Sequence, residues 1–222
     1  MVRFTLFGGQ TPVRRVLALG AHADDIEIGC GATMLALLRD HDVEVTWVVL
    51  GAEGTREEEA RASAEAFLAN ATSSSVACHH FRDGYFPYVG SEVKDVFEDL
   101  KSQVDPDLIL THARHDLHQD HRLVCELTWN TWRDHLILEY EIPKYDGDLA
   151  APNVFVEVSE ELAREKTRLL GSAFESQCEK HWFDQELFLG LMRLRGAETR
   201  ASSGYAEAFF GRKLALSPSE PT

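Results

Sequence analysis

Val16-Leu17-Ala18-Leu19-Gly20-Ala21-His22-Ala23-Asp24-Asp25 is the stretch on which the fold turns. Its first five residues are a short apolar run closed by turn chemistry, the pattern of a strand buried on both faces. A histidine and two carboxylates follow. Residues 29–40 then place Met34, Leu35, Leu37 and Leu38 at helical spacing. A buried strand that passes through a polar loop into a helix is the opening unit of an α/β sheet.

The same alternation continues outward. Residues 43–50 read as a second strand, β-branched and aromatic, closed by Gly51. Thr55 reads as the N-cap of a helix over REEEARASAEAFLA, whose early acidic residues suit the helix dipole. Residues 76–81 form a weaker third strand. Residues 92–104 predict a helix with Val93, Val96, Phe97, Leu100 and Val104 on one face. Pro106 introduces a fourth strand over 107–111, and a helix is expected from Gln119 to about His135. Strands over 136–142, stopped by Pro143, and over 153–158 follow, and Ser159 caps a helix through Leu170. This order predicts a Rossmann-like three-layer α/β fold, with a mainly parallel sheet and helices on both faces. No repeat or linker divides the chain, so a single domain is expected over 1–222, with a mobile tail at 217–222.

Composition narrows the function classes. The chain has 222 residues, 44% hydrophobic and 27% charged, enough for one domain with a sizeable core. Its 22 Lys+Arg stand against 37 Asp+Glu, a formal net charge of −15, which argues against nucleic-acid backbones and anionic lipid. MVRFTLFGGQTPVRR lacks the apolar run of a signal peptide, and no stretch approaches a membrane span. Cys30, Cys78, Cys125 and Cys178 form no CxxC pair and are expected to be reduced thiols of a cytoplasmic protein. The aromatic, Leu-rich segment from Trp182 to Leu194 suits either core or an interface of a homo-oligomer.

Ligands of open α/β sheets bind beyond the carboxyl ends of the strands, and two clusters of metal-capable residues fall there. His22, Asp24 and Asp25 follow the first strand; His112, His115, Asp116, His118, Asp120 and His121 follow the fourth. A histidine and a carboxylate three residues apart can point at one ion, and zinc accepts both donor types while keeping a position open for water. The competing account of the first cluster is an Asx-type turn capping the next helix. In the second, His118 and His121 lie i, i+3 at a helix start, so that one can complete a His-Asp-His site while the other faces a reacting carbonyl. Asp116 and Asp120 are candidates to orient the imidazoles. His79 and His80 lack a carboxylate at metal spacing and are expected on the surface. Gly29-Cys30-Gly31 is a weak phosphate-loop signal, contradicted by the carboxylates before it.

The AHADD and HDLHQDH motifs together resemble the signature pair of the PIG-L/LmbE-like zinc-dependent N-deacetylases, as do GAEGTREEEARASAEAFL, Asp83-Gly84 and YAEAF near Tyr205. The resemblance implies that His22, Asp25 and His121 bind Zn2+, although other divalent metals suit the donors. It implies Asp24 as general base and a protonated His118 as the group that stabilises the tetrahedral intermediate. It also implies Arg56 and Asp83 as contacts to a substrate, a small N-acetylated sugar or sugar conjugate of the N-acetylglucosamine type. For Arg56 the plainer account is an i, i+3 or i, i+4 ion pair with Glu59 or a neighbouring helical carboxylate. Ala23 and Gln119 stand where proline is common in that family, which affects loop rigidity and supplies no ligand. Two further readings stay open: a zinc amidase acting on a larger amide, and a binding protein that keeps the fold without activity.

Overall fold

The structure is a computed structural model that describes residues 12–214; the segment 217–222, expected to be mobile, lies outside them. Strand β1 (Arg15–His22) is buried along almost its whole length and alternates between two apolar layers. Val16 and Ala18 face one, and Leu17, Leu19 and Ala21 face the other. That double burial is why the run reads as continuously apolar.

The chain continues as α1 (Asp25–Asp40), β2 (Glu44–Gly51), α2 (Thr55–Phe67), β3 (Ser73–Cys78), α3 (Gly90–Gln103), β4 (Leu108–His112) and α4 (Gln119–Thr131). It ends with β5 (Leu136–Tyr140), β6 (Val154–Val158), α5 (Glu160–Ala173), α6 (Gln185–Thr199) and β7 (Tyr205–Phe210). The seven strands lie in the order β3-β2-β1-β4-β5-β7-β6. β3, β2, β1, β4 and β5 pair in parallel, and β7 runs antiparallel to both β5 and β6. Apolar residues of α1, α2, α5 and α6 pack on one face; those of α3 and α4 pack on the other. This is the expected three-layer Rossmann-like arrangement. Chain order reverses between β1 and β4, so the loops leaving these neighbours part and open a crevice at their carboxyl ends.

Several boundaries differ from expectation. Helix α1 begins at Asp25, four residues before the expected start, because it is interrupted at Cys30 (φ −145°, ψ 17°). The N-cap of α2 is Gly54 at φ 58°, and Thr55 is the first helical residue. β3 ends at Cys78 rather than Phe81, and α4 ends at Thr131 rather than near His135. Ser159 does cap α5, accepting from the Leu162 N–H at 3.2 Å. The Trp182–Leu194 segment contributes most of α6, with Phe188 and Met192 in the core and Leu187 and Leu194 exposed. β7 had no counterpart in the expected order. All four cysteines are free. Among the described residues no helix is long and apolar enough to cross a membrane.

Gly29 illustrates how tightly the first turn of α1 is seated. A Cβ there would stand 2.1 Å from the Tyr140 ring, and the Tyr140 hydroxyl is itself bonded to the Leu19 carbonyl at 2.6 Å. Gly190, in the middle of α6, has nothing within 4 Å of such an atom. Gly29→Ala is expected to cost about 3 kcal/mol through forced repacking. Gly190→Ala should instead gain about 0.5–1 kcal/mol from helix propensity. Urea denaturation of the two variants checks the contrast.

Candidate functional site

The end of β1 delivers His22, and the loop turns at once into α1. Asp24 occupies the N-cap position of that helix yet makes no capping bond. The Asx-turn account of this residue therefore fails on geometry. One carboxylate oxygen pairs with Arg56 Nη2 at 3.0 Å; the other is buried without a hydrogen-bond partner. Burial pushes the Asp24 carboxyl up, Arg56 opposes that rise, and the neighbouring Asp25 adds to it. Asp25, the first helical residue, accepts from the His22 backbone N–H at 2.6 Å. Although burial works against its charge, the imidazoles of His121, His112 and His22 hold it well below the usual carboxylate range.

The second cluster arrives from β4 and the start of α4, and its carboxylates orient the rings. Asp116 accepts from His121 Nδ1 at 2.9 Å, which turns His121 Nε2 toward the first cluster. Asp116 also accepts from the His118 N–H at 2.8 Å and pairs with Lys144 at 3.0 Å. Asp120, wholly buried, lies 3.2 Å from His22 Nε2 and accepts from the backbone N–H groups of Gly84 and Phe86 at 2.6 and 3.1 Å. It thus orients His22 and ties down the loop that carries Asp83. Both roles suggested for Asp116 and Asp120 are seen in these contacts.

Three donors then converge. His22 Nδ1 stands 3.2 Å from His121 Nε2 and 3.3 Å from Asp25 Oδ2, and His121 Nε2 is 3.5 Å from Asp25 Oδ1. Burial pushes His121 down to about 4, reinforced by His112. Burial also disfavours charge on His22, but Asp25, Asp120 and Asp83 outweigh it and raise its pKa well above the ordinary value. His112 is a further candidate donor, grouped with Asp25 and His121. Its Nε2, however, accepts from the Ala21 N–H at 3.0 Å and lies 3.2 Å from the Tyr140 hydroxyl.

The remaining expected residues take these positions. His118 is the N-cap of α4, its Nδ1 accepting from the Asp120 N–H at 3.3 Å, and burial lowers its pKa. With Nδ1 accepting, the ring carries its proton on Nε2. Asp83 is 76% exposed at the mouth, 3.1 Å from His22 Nε2 and 3.8 Å from His118 Nε2. Its bond to His22 lowers its pKa to about 2. Arg56 does pair with Glu59, at 3.2 Å, but its second arm reaches Asp24. Ser176 holds Glu59 in place through its N–H and hydroxyl, at 2.8 and 2.6 Å. His115 stands apart from the donors, edge-on to Phe210. His80 lies on the surface, as expected, where it meets Glu57 at 2.8 Å.

Several neighbours were not anticipated. Tyr140 lies opposite His112 in the β4–β5 register, a pairing with no local signal. Lys144 folds back from beyond β5 onto Asp116 and Asp148, and Asp148 accepts from the Leu117 N–H at 2.7 Å. Glu27, on α1, is wholly buried with neither oxygen hydrogen-bonded, and burial pushes its carboxyl up to about 8. Its i, i+3 relation to Asp24 was the only clue available.

Known proteins share this arrangement of elements. A solved N,N'-diacetylchitobiose deacetylase from Pyrococcus horikoshii, complexed with an inhibitor, is similar at a TM-score of 0.69 and 20% identity, covering 94% of this chain and 87% of that one. The 4-carboxy-2-hydroxymuconate hydratase GalB from Pseudomonas putida KT2440 is similar at a TM-score of 0.70 and 15% identity, over 94% and 100% of the two chains. At such identities the likeness is one of fold, and the two names show that the fold serves more than one reaction. Sequence carries the relationship further. The uncharacterized deacetylase YaiS of Escherichia coli K12 is 34% identical over 164 residues, 66% of this chain and 83% of that protein. Residues 17–132, which hold both histidine-aspartate clusters, match the family described as PIG-L, GlcNAc-PI de-N-acetylase. The chain belongs to the PIG-L deacetylase family, hydrolases that act on amide bonds.

Proposed function

We propose that this protein is a zinc-dependent N-deacetylase that removes the acetyl group from an N-acetylated sugar or sugar conjugate of the N-acetylglucosamine type. The observation that carries the reading is that His22 Nδ1 and His121 Nε2 stand 3.2 Å apart, with one Asp25 oxygen 3.3 Å from the first and the other 3.5 Å from the second. Zinc bonds of roughly 2.0–2.1 Å at tetrahedral angles set their ends about 3.3 Å apart. The outer nitrogens of His22 and His121 face Asp120 and Asp116, which directs their inner nitrogens at one point, where a metal would take the place of the His22 proton. Lone pairs and a carboxylate gathered this closely call for a cation. Other divalent metals suit the same donors.

When bound, zinc supplies an acidified water and a Lewis-acid hold on the carbonyl oxygen. Asp24 is the general base: its unpartnered oxygen takes the proton of the attacking water, while Arg56 fixes the other oxygen. His118 donates from Nε2 to the oxygen that gains charge as the carbonyl is attacked. Asp24 then returns the proton to the leaving amine. Asp83, at the open side, and the partly exposed Arg56 meet polar groups of the sugar. Free thiols at all four cysteines suit a cytoplasmic setting.

One feature favours a second substrate class within the same chemistry. Leu117, beside His118, is 56% exposed, and Tyr145, on the loop tethered to it, is 73% exposed. Apolar groups at the mouth suit a larger conjugate with an apolar portion.

Acetate release from a panel of N-acetylated sugars, nucleotide sugars and larger acylated conjugates, with metal content measured in parallel, tests both readings. Turnover that vanishes on chelation and returns with zinc is expected; a protein that holds no metal after reconstitution would refute the proposal. Asp25→Ala is expected to lose zinc. Asp24→Ala and His118→Ala should keep it and lose about 10²–10⁴-fold in kcat. Near wild-type kcat in zinc-loaded Asp24→Ala would show the base to be elsewhere. Arg56 lowers the Asp24 pKa, and the base acts only when ionised. Arg56→Gln should therefore move the acid limb of kcat/KM to higher pH, by about one unit, measured as a full pH–rate profile.

A further inference from the structure

Helix α1 consists of two helical segments that meet at Cys30. Such a break leaves the last carbonyls of the first segment and the first N–H groups of the second without intrahelical partners. Cys30 sits where a capping residue would serve the second segment, but its thiol turns back to the Ile26 carbonyl at 3.2 Å. The cap comes instead from β7. Glu207 accepts from the Ala32 N–H at 3.0 Å and from the Thr33 N–H at 2.6 Å. Lys166, in α5, serves the opposite side of the break, donating to the Ile28 carbonyl at 2.6 Å and to Glu207 at 2.5 Å. Both side chains are only 3% exposed.

The polarity of the break explains the choice of residues. An acceptor is needed for two N–H groups and a donor for one carbonyl, and a carboxylate–ammonium pair provides both while neutralising itself. A buried ion pair without further hydrogen bonds is easily replaced by apolar side chains; this one uses its hydrogen-bonding capacity on the backbone. The segment it holds begins with the proposed metal ligand Asp25 and ends at Gly29, against Tyr140. The Tyr140 hydroxyl lies 3.2 Å from His112 Nε2, which lies 3.2 Å from Asp25 Oδ2. The turn bearing Asp24 and Asp25 is therefore fixed at both of its ends.

We infer that Lys166 and Glu207 are a positioning pair for the active site: by bridging the break in α1 they hold its first turn so that Asp25 meets His22 and His121. The inference rests on the metal reading above for one of its readouts and not for the other. The test is the Lys166→Met/Glu207→Gln double variant, which removes both charges at similar volume. Hydrogen exchange of the amides in residues 25–33, in metal-free protein, reads the turn directly. Zinc affinity by chelator competition reads its consequence. Faster exchange confined to this segment is expected, with zinc bound about 10–100-fold more weakly and KM changed less than about twofold while kcat falls. Asp184→Ala, which removes the cap of α6, should lower the melting temperature and leave zinc affinity intact. If the double variant does not fold, Glu207→Gln alone is read in the same way, since the amide keeps one acceptor and loses the other. Unchanged exchange and unchanged zinc affinity in a folded variant would overturn the inference, as would an equal loss of affinity in Asp184→Ala. A wild-type protein without zinc affinity would refute the metal reading alone, and the exchange measurement would still decide the role of the pair.

Discussion

Asp24, Asp25, Asp116 and Asp120 are four carboxylates almost withdrawn from water at one edge of the sheet, and their charge has to be balanced where they lie. Asp24 has Arg56, Asp116 has Lys144 and His121, and Asp25 and Asp120 share the imidazoles. These partners come from the far end of β1, from the start of α4, from the start of α2 and from beyond β5. Their convergence requires β1 and β4 to be neighbours and α2 to begin within reach of α1. It also requires the chain after β5 to fold back. The sheet order fulfils the first demand and the short β2–α2 connection the second. Much of the loop structure at this edge is the geometry of charge compensation.

The parts legible in the sequence are those whose signals are local. Strands β1, β2, β4 and β5 announce themselves because burial on both faces makes most of each run apolar, and α3 because one face is plainly apolar. The two clusters were legible because each follows a buried strand directly. What escaped was set by distant partners. The pattern of α1 reads as starting at Gly29 because the break at Cys30 is held by Glu207 and Lys166, more than a hundred residues away. β7 carries an inward-facing glutamate in an otherwise apolar run, and its antiparallel place between β5 and β6 has no local mark. The cap at Gly54 depends on a positive φ that Thr55, the obvious capping residue, does not adopt.

Arg56 shows how one side chain serves two carboxylates at once. Its pairing with Glu59 is an ordinary helical contact, yet Glu59 is itself pinned by Ser176 in the segment between α5 and α6. The guanidinium is thereby held with one arm fixed and the other presented to Asp24. Planar, forked geometry allows both contacts at once, which a lysine at this position would not reproduce.

The placement of Asp83 has a thermodynamic corollary. It is exposed, yet it already has a partner in His22. A hydroxyl that docks there exchanges one hydrogen bond for another and displaces little besides water, so the enthalpy gained at this position is small. A ligand lacking the hydroxyl leaves the carboxylate as satisfied as before. Under the proposed reading, a contact of that kind would orient a ligand without retaining it.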